Sequence, residues 1–147
     1  MEKPNVKIRP MDHADIDAVL DIQKQAFNKQ SGEDFINCIN RSEVYGYFVL
    51  VENDIVIGYY GISNIAEDGE LLTIAINSNK RGRGYASLMM RSAVLQSGLK
   101  GSKKIFLEVN ENNIVAMNLY KKFGFKAISR RKKYYGEDDA IIMQLDL

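Results

Sequence analysis

Apolar and polar residues alternate along this chain in two registers, one of period two and one close to the helical repeat. Val6 and Ile8 alternate with charged neighbours as in a short strand. Asp12 with Asp15 makes a helix start for the apolar positions Ile16, Val19, Leu20 and Phe27. Ser31 with Asp34 repeats that capping-box spacing before Phe35, Ile36, Cys38 and Ile39. Tyr47 to Val51 and Ile55 to Ile62 flank Asn53-Asp54, a pair that tolerates the positive φ of a tight turn, so these two runs predict a hairpin.

Glu70 to Ile76 is the next predicted strand, with an amphipathic helix after it from Ser87 to Ser97 that stops at Gly98. Ile105 to Val109 predicts another strand, and Ile114 to Phe123 a helix closed by Gly124. Strands around Phe125 to Arg131 and Ala140 to Leu145 complete the chain. The order β-α-α-β-β-β-α-β-α-β-β joins a hairpin meander to two helical crossovers, which implies a mixed sheet with helices on both faces.

The chain has 147 residues, 46% of them hydrophobic, and only two prolines. That is the size of one ordinary domain, 1–147, able to bury roughly 68–70% of its unfolded-state surface. Twenty Lys and Arg stand against nineteen Asp and Glu, so the net charge of +1 offers no overall attraction to nucleic acid. Cys38 is the single cysteine and is expected to be an inert, mostly buried thiol, as in a reducing cytoplasm. The start MEKPNVKIRPM has no apolar signal core and no run of 18 apolar residues occurs, so no membrane partner is expected.

Between the strand ending at Ile76 and the helix after it lies the basic loop Arg81-Gly82-Arg83-Gly84-Tyr85-Ala86. A strand before and a helix after would gather its amides at a helix start, where an anion such as a pyrophosphate is favoured. Lys80, Arg81 and Arg83 would add charge, although a solvated turn would carry the same residues. On the strand Ile105 to Asn110, Phe106, Glu108 and Asn110 point away from Ile105, Leu107 and Val109. Glu108 is therefore a carboxylate amid apolar neighbours, either paired with a lysine at an edge or placed as a general base. The second role asks for partial burial, because an ordinary Glu titrates near 4.3 and an α-amine near 7.7–8.

Tyr120 follows Asn113 by seven residues, so the two share a helical stripe roughly 10 Å apart along the axis. It borders the apolar face of Ala116, Leu119 and Phe123, either as a core-edge tyrosine or as a proton donor to a leaving thiolate. His13 lies near a helix start with no partner at ligand spacing, and no Cys/His cluster supports a metal. Tyr134-Tyr135 after the basic run Arg130 to Lys133 fits a substrate-facing loop or a strand edge better than an RNA-stacking patch.

From about Val6 to Leu145 the chain resembles the GNAT superfamily of acyl-coenzyme A-dependent N-acetyltransferases. The loop pattern of that family falls on Arg81, Gly84 and Ala86. GELLTIAIN, LEVNENN with LYKKFGF, and SRRKKYYGEDDAIIM most resemble the branch that acetylates protein N-termini, the alanine of ribosomal proteins included. The resemblance implies an α/β (α+β) fold with a mixed, mostly antiparallel sheet of six or seven strands and about four helices. It implies acetyl-CoA as co-substrate, Glu108 as general base through water, and Tyr120 as the acid for the coenzyme A thiolate. It also implies cofactor contacts from the backbone of Ala75 and Ile76, the amides of Arg81, Gly82, Arg83, Gly84, Tyr85 and Ala86, and Asn113. The acceptor would be a peptide or protein N-terminus, with no metal and no direct nucleic acid contact.

The chain departs from that pattern in three places. Ser78 stands where relatives commonly have proline, and Lys80 where they often have an aromatic. Asn28, Lys29 and Gln30 follow Phe27 where relatives often carry Pro-Trp, in a loop that helps shape the peptide site. The alternatives are an acetyltransferase of a small amine or lysine side chain, a protein that binds acyl-coenzyme A without turning it over, and an RNA-binding module using Arg130 to Tyr135. No cysteine or serine lies in the motif segments where an acyl-enzyme would form, which favours direct transfer over a ping-pong route.

Overall fold

The computed structural model describes residues 4–25 and 30–147, so the helical position expected at Phe27 and the loop residues Asn28 and Lys29 lie outside the described residues. In chain order the elements are β1 (Val6–Pro10), α1 (Ile16–Gln23), α2 (Gly32–Asn40), β2 (Tyr45–Glu52), β3 (Ile55–Ile65) and β4 (Asp68–Ile76), then α3 (Tyr85–Leu99), β5 (Lys104–Asn110), α4 (Ile114–Lys122), β6 (Lys126–Tyr135) and β7 (Asp138–Asp146). Among the described residues the seven strands make one sheet in the order β1-β2-β3-β4-β5-β7-β6. Every neighbouring pair is antiparallel except β4 with β5.

Local chemistry sets these elements as the sequence pattern implies. Asp12 and Asp15 form a capping box around the 3-10 turn His13–Asp15 that leads into α1, and Asp15 also takes both nitrogens of Arg9 at 2.7 and 2.9 Å. Ser31 and Asp34 make the second capping box, at the start of α2. Asn53 and Asp54 turn between β2 and β3 with φ of 49° and 67°. The sheet buries both faces. Met89, Met90 and Ala93 of α3 and Tyr120 of α4 pack with Leu107, Val109 and Met143 on one side. Val19 and Ile22 of α1 and Phe35 of α2 pack with Val49 and Tyr59 on the other. Gly61 is bare for a reason, since a Cβ there would fall 2.4 Å from the Tyr47 ring that fills this second core.

The far ends of α3 and β6 both run past their expected boundaries. The helix α3 passes through Gly98 to Leu99, and the left-handed residue that ends the turn is Gly101, with φ of 92°. The Lys100 and Gly101 amides still reach back to Gln96 and Gly98, so the last helical turn is satisfied without a cap at Gly98. The closing hairpin is also longer than its apolar run. A bulge carries β6 through the charged residues to Tyr135, with Lys133 at φ of 54° and its amide donating to Asp139 Oδ1 at 2.8 Å.

Candidate active site

The parallel pair β4 and β5 is joined only over Asp68↔Lys104, Gly69↔Ile105 and Glu70↔Phe106. Beyond Glu70 the strands part. The register of β3 against β4 shifts between Gly61 and Ile62, leaving Leu72 as an extra residue that bends β4 away from β5. A cleft of about 1080 Å³ opens there, lined by the β4 run Glu70 to Ile76, by the loop ahead of α3 and by Glu108, Asn113, Tyr120, Tyr134 and Tyr135. Ala75 and Ile76 pair with Tyr59 and Gly58 on the β3 side, and the other edge of β4 faces the cleft. That edge offers main-chain donors and acceptors to an extended ligand.

At the far end of the cleft the loop is built to leave amides open. Gly82 and Gly84 both take φ of 78°, and Gly84 is the N-cap of α3. Glycine brings no side chain to cap the helix, so the first-turn amides of Tyr85, Ala86 and Ser87 keep no intrahelical acceptor. They favour an anion, and exposed Arg81 and Arg83 add positive charge. Lys80 does not join them. Its ammonium is paired at 2.6 Å with the buried carboxylate of Glu52, against the expectation that it would serve the phosphates.

Glu108 lies where β4 and β5 diverge, as its face of β5 required, with its side chain 25% exposed. Its partner is Arg131 at 3.1 Å, an arginine from β6 rather than a lysine. Glu70 of β4 lines the same wall and remains open to solvent, yet crowding within the concave wall and the negative charge of Glu108 push its carboxyl above its ordinary value. The sequence pattern showed Glu70 only as a strand start. Its role in the site depends on the parallel pairing with β5, which no local spacing reveals. A smaller cavity of about 440 Å³ adjoins these groups, lined among others by Asp68, Glu70, Glu108 and Arg131.

Tyr120 is buried against Phe125, edge to face at 6.1 Å between ring centroids, and burial pushes its phenol up to about 12. The hydroxyl is therefore a donor across the working range of pH. Asn113 caps α4, its side-chain oxygen accepting the Ala116 amide at 3.2 Å. Tyr134 and Tyr135 meet edge to face at 5.1 Å at the mouth, and Arg131 lies over the Tyr134 ring at 5.3 Å. Arg130 and Asp139 explain the charged closing motif: Arg130 holds Asp139 at 2.8 Å and also Glu111, which ties down the strand that carries the bulge and the two tyrosines. Cys38 is half-buried on α2, and burial pushes its thiol up, so little thiolate is available. No group of three metal-ligating side chains converges among the described residues.

The sequence profile of the acetyltransferase (GNAT) family matches residues 16–125. A Bacillus subtilis protein provisionally named as a ribosomal protein bS18-alanine N-acetyltransferase is 33% identical over 96% of this chain and 95% of its own length. The Haemophilus influenzae ribosomal protein bS18-alanine N-acetyltransferase is 33% identical over 71% of this chain and 74% of its own. The crystal structure of the ribosomal-protein-S18-alanine N-acetyltransferase from Escherichia coli superposes with a TM-score of 0.87 at 24% identity, covering 97% and 94% of the two chains. The chain belongs to the GNAT family of acetyltransferases, and acetyl-CoA is its co-substrate.

Proposed function

We propose that this protein transfers acetyl from acetyl-CoA to the N-terminal α-amine of a protein, and that the acceptor is an alanine at the start of a small-subunit ribosomal protein. The names of the Bacillus and Haemophilus relatives support that acceptor. The observation that carries the reading is that Glu108 and Tyr120 line one cleft, which opens where β4 leaves β5. The reaction would run in the cytoplasm, with the whole chain acting as one domain.

Acetyl-CoA supplies an activated thioester. The free edge of Ala75 and Ile76 fits an amide-bearing arm, and the amides of Arg81 to Ala86 fit a pyrophosphate. Asn113 would reach the cofactor with its side-chain NH₂, since its oxygen is engaged by Ala116. Glu108 takes the proton of the incoming ammonium, directly or through water, and Arg131 fixes its position. The amide near Ile76 would meet the carbonyl oxygen as it gains charge, a contribution of about 2.7–4 kcal/mol where such donors have been removed. Tyr120 donates to the departing sulfur. Tyr134 and Tyr135 form the acceptor side of the mouth.

The test is thiol release from acetyl-CoA with a short peptide beginning Ala-Arg, with the same peptide blocked at its N-terminus, and with a polyamine, each product read by mass spectrometry. Release only with the free N-terminus supports the proposal. Release with the polyamine, or with the blocked peptide through a lysine, replaces it by a small-amine or lysine acetyltransferase. Cofactor binding without release replaces it by an acyl-coenzyme A-binding protein.

A further inference from the structure

Glu52 is the last residue of β2, immediately before the tight turn at Asn53 and Asp54, and its side chain is 8% exposed. The turn brings this carboxylate to the cofactor end of the molecule. One oxygen accepts from Lys80 Nζ at 2.6 Å and the other accepts from the Tyr85 hydroxyl. These two donors are the residues directly before and after Arg81-Gly82-Arg83-Gly84. We infer that Glu52 is a positioning residue for the cofactor, a single carboxylate that clamps both ends of the four-residue phosphate loop. This rests on the reading of that loop as the pyrophosphate site.

The two glycines sit at φ of 78°, and a Cβ at either position would meet nothing within 4 Å, so no packing at these positions holds the loop. Its amides can face a single anion only if its ends are fixed. The Asn77 amide fixes the chain on the strand side by donating to Ile57 at 2.8 Å. Across the loop itself, Glu52 supplies the tie. The Lys80 and Tyr85 hydrogen bonds, together with the charge of Arg83, hold its carboxyl below the usual range, so the clamp stays ionised at neutral pH.

A purely electrostatic view of the loop gives the opposite sign. Removing the Glu52 charge would release the Lys80 ammonium beside the phosphate site and tighten coenzyme A binding. The clamp requires that binding weaken. Glu52→Gln is therefore compared with wild type by calorimetric titration of coenzyme A and by steady-state kinetics, with Gly84→Val as a control on the loop. The expected result is a Kd raised about tenfold and a KM for acetyl-CoA raised in step, while turnover at saturation falls less than threefold. Tyr85→Phe should weaken binding by a smaller factor, and should add little in the Glu52→Gln background because both act on one tie.

Unchanged or tighter binding by Glu52→Gln, with Gly84→Val weakened, overturns the clamp and leaves the loop reading intact. Normal binding by Gly84→Val overturns the loop reading and the clamp with it. If Glu52→Gln does not fold by its melting curve, Tyr85→Phe with Lys80→Met carries the same test, and normal coenzyme A affinity in that variant overturns the clamp.

Discussion

The guanidinium of Arg131 lies 3.1 Å from the Glu108 carboxylate although the two residues belong to β6 and β5, with β7 between them. Strands are spaced 4.7–4.9 Å apart, so the arginine spans two such spacings to reach its partner. With Arg131 54% exposed, such a pair adds only about 0–1 kcal/mol to folding. Its consequence lies in the chemistry of the wall, where Glu70 and Glu108 would otherwise be two neighbouring negative charges.

Arg131→Met should therefore leave the melting temperature nearly unchanged and alter the pH profile. Arg131 lowers the Glu70 carboxyl that desolvation within the wall and the charge of Glu108 raise, so removing this cation favours the protonated form of Glu70. The acid limb of kcat/KM should move to higher pH. A profile superposable on wild type would show that Arg131 does not act on the site.

Tyr120→Phe removes one oxygen from a buried ring that keeps its packing on Phe125. Turnover should fall by roughly 10²–10⁴ if the donor is needed at the thiolate. Coenzyme A affinity and thermal stability should stay near wild type. Because burial places the phenol at about 12, the wild-type rate should show no loss from its ionisation below about pH 11. Pre-steady-state measurement of thiol release separates this step from product release.

Alkaline stability tests the same burial independently. Tyr47, Tyr59, Tyr60 and Tyr120 all have phenols raised by burial above their ordinary value of 10.0. Between that value and the folded one, the unfolded chain has lost the proton and the native state has kept it, so stability falls as pH rises above 10. Each such tyrosine contributes a slope of about 1.4 kcal/mol per pH unit. Denaturant midpoints should be flat between pH 7 and 9 and drop steeply past 10. A flat midpoint to pH 11 would contradict the burial.

Features that depend on neighbours in sequence were legible. Ser31 with Asp34 and Asn53 with Asp54 act within a few residues, and each forms as its spacing implies. The alternation along β5 places Glu108 opposite Leu107 and Val109 correctly, because a strand has only two faces. The partners of these groups were not legible. Arg131 reaches Glu108 across β7, Glu70 joins the wall through a three-residue parallel pairing, and Glu52 meets Lys80 from 28 residues away. Three-dimensional pairing also explains why β6 continues through Lys132 and Lys133, whose bulge is anchored by Asp139 on the facing strand. The Ser78 departure has a local consequence as well. Its amide donates to Gln25 Oε1 at 2.8 Å, a bond that proline cannot make.

In the proposed mechanism Glu108 removes the amine proton in a cleft whose cofactor end works independently of it. The most direct measurement is single-turnover acetylation of an Ala-Arg peptide by Glu108→Gln at neutral pH, with coenzyme A affinity measured on the same protein. A general base at Glu108 requires a rate lower by roughly 10²–10⁴ with affinity within about twofold of wild type. A near-normal rate, or a loss confined to coenzyme A binding, would contradict it.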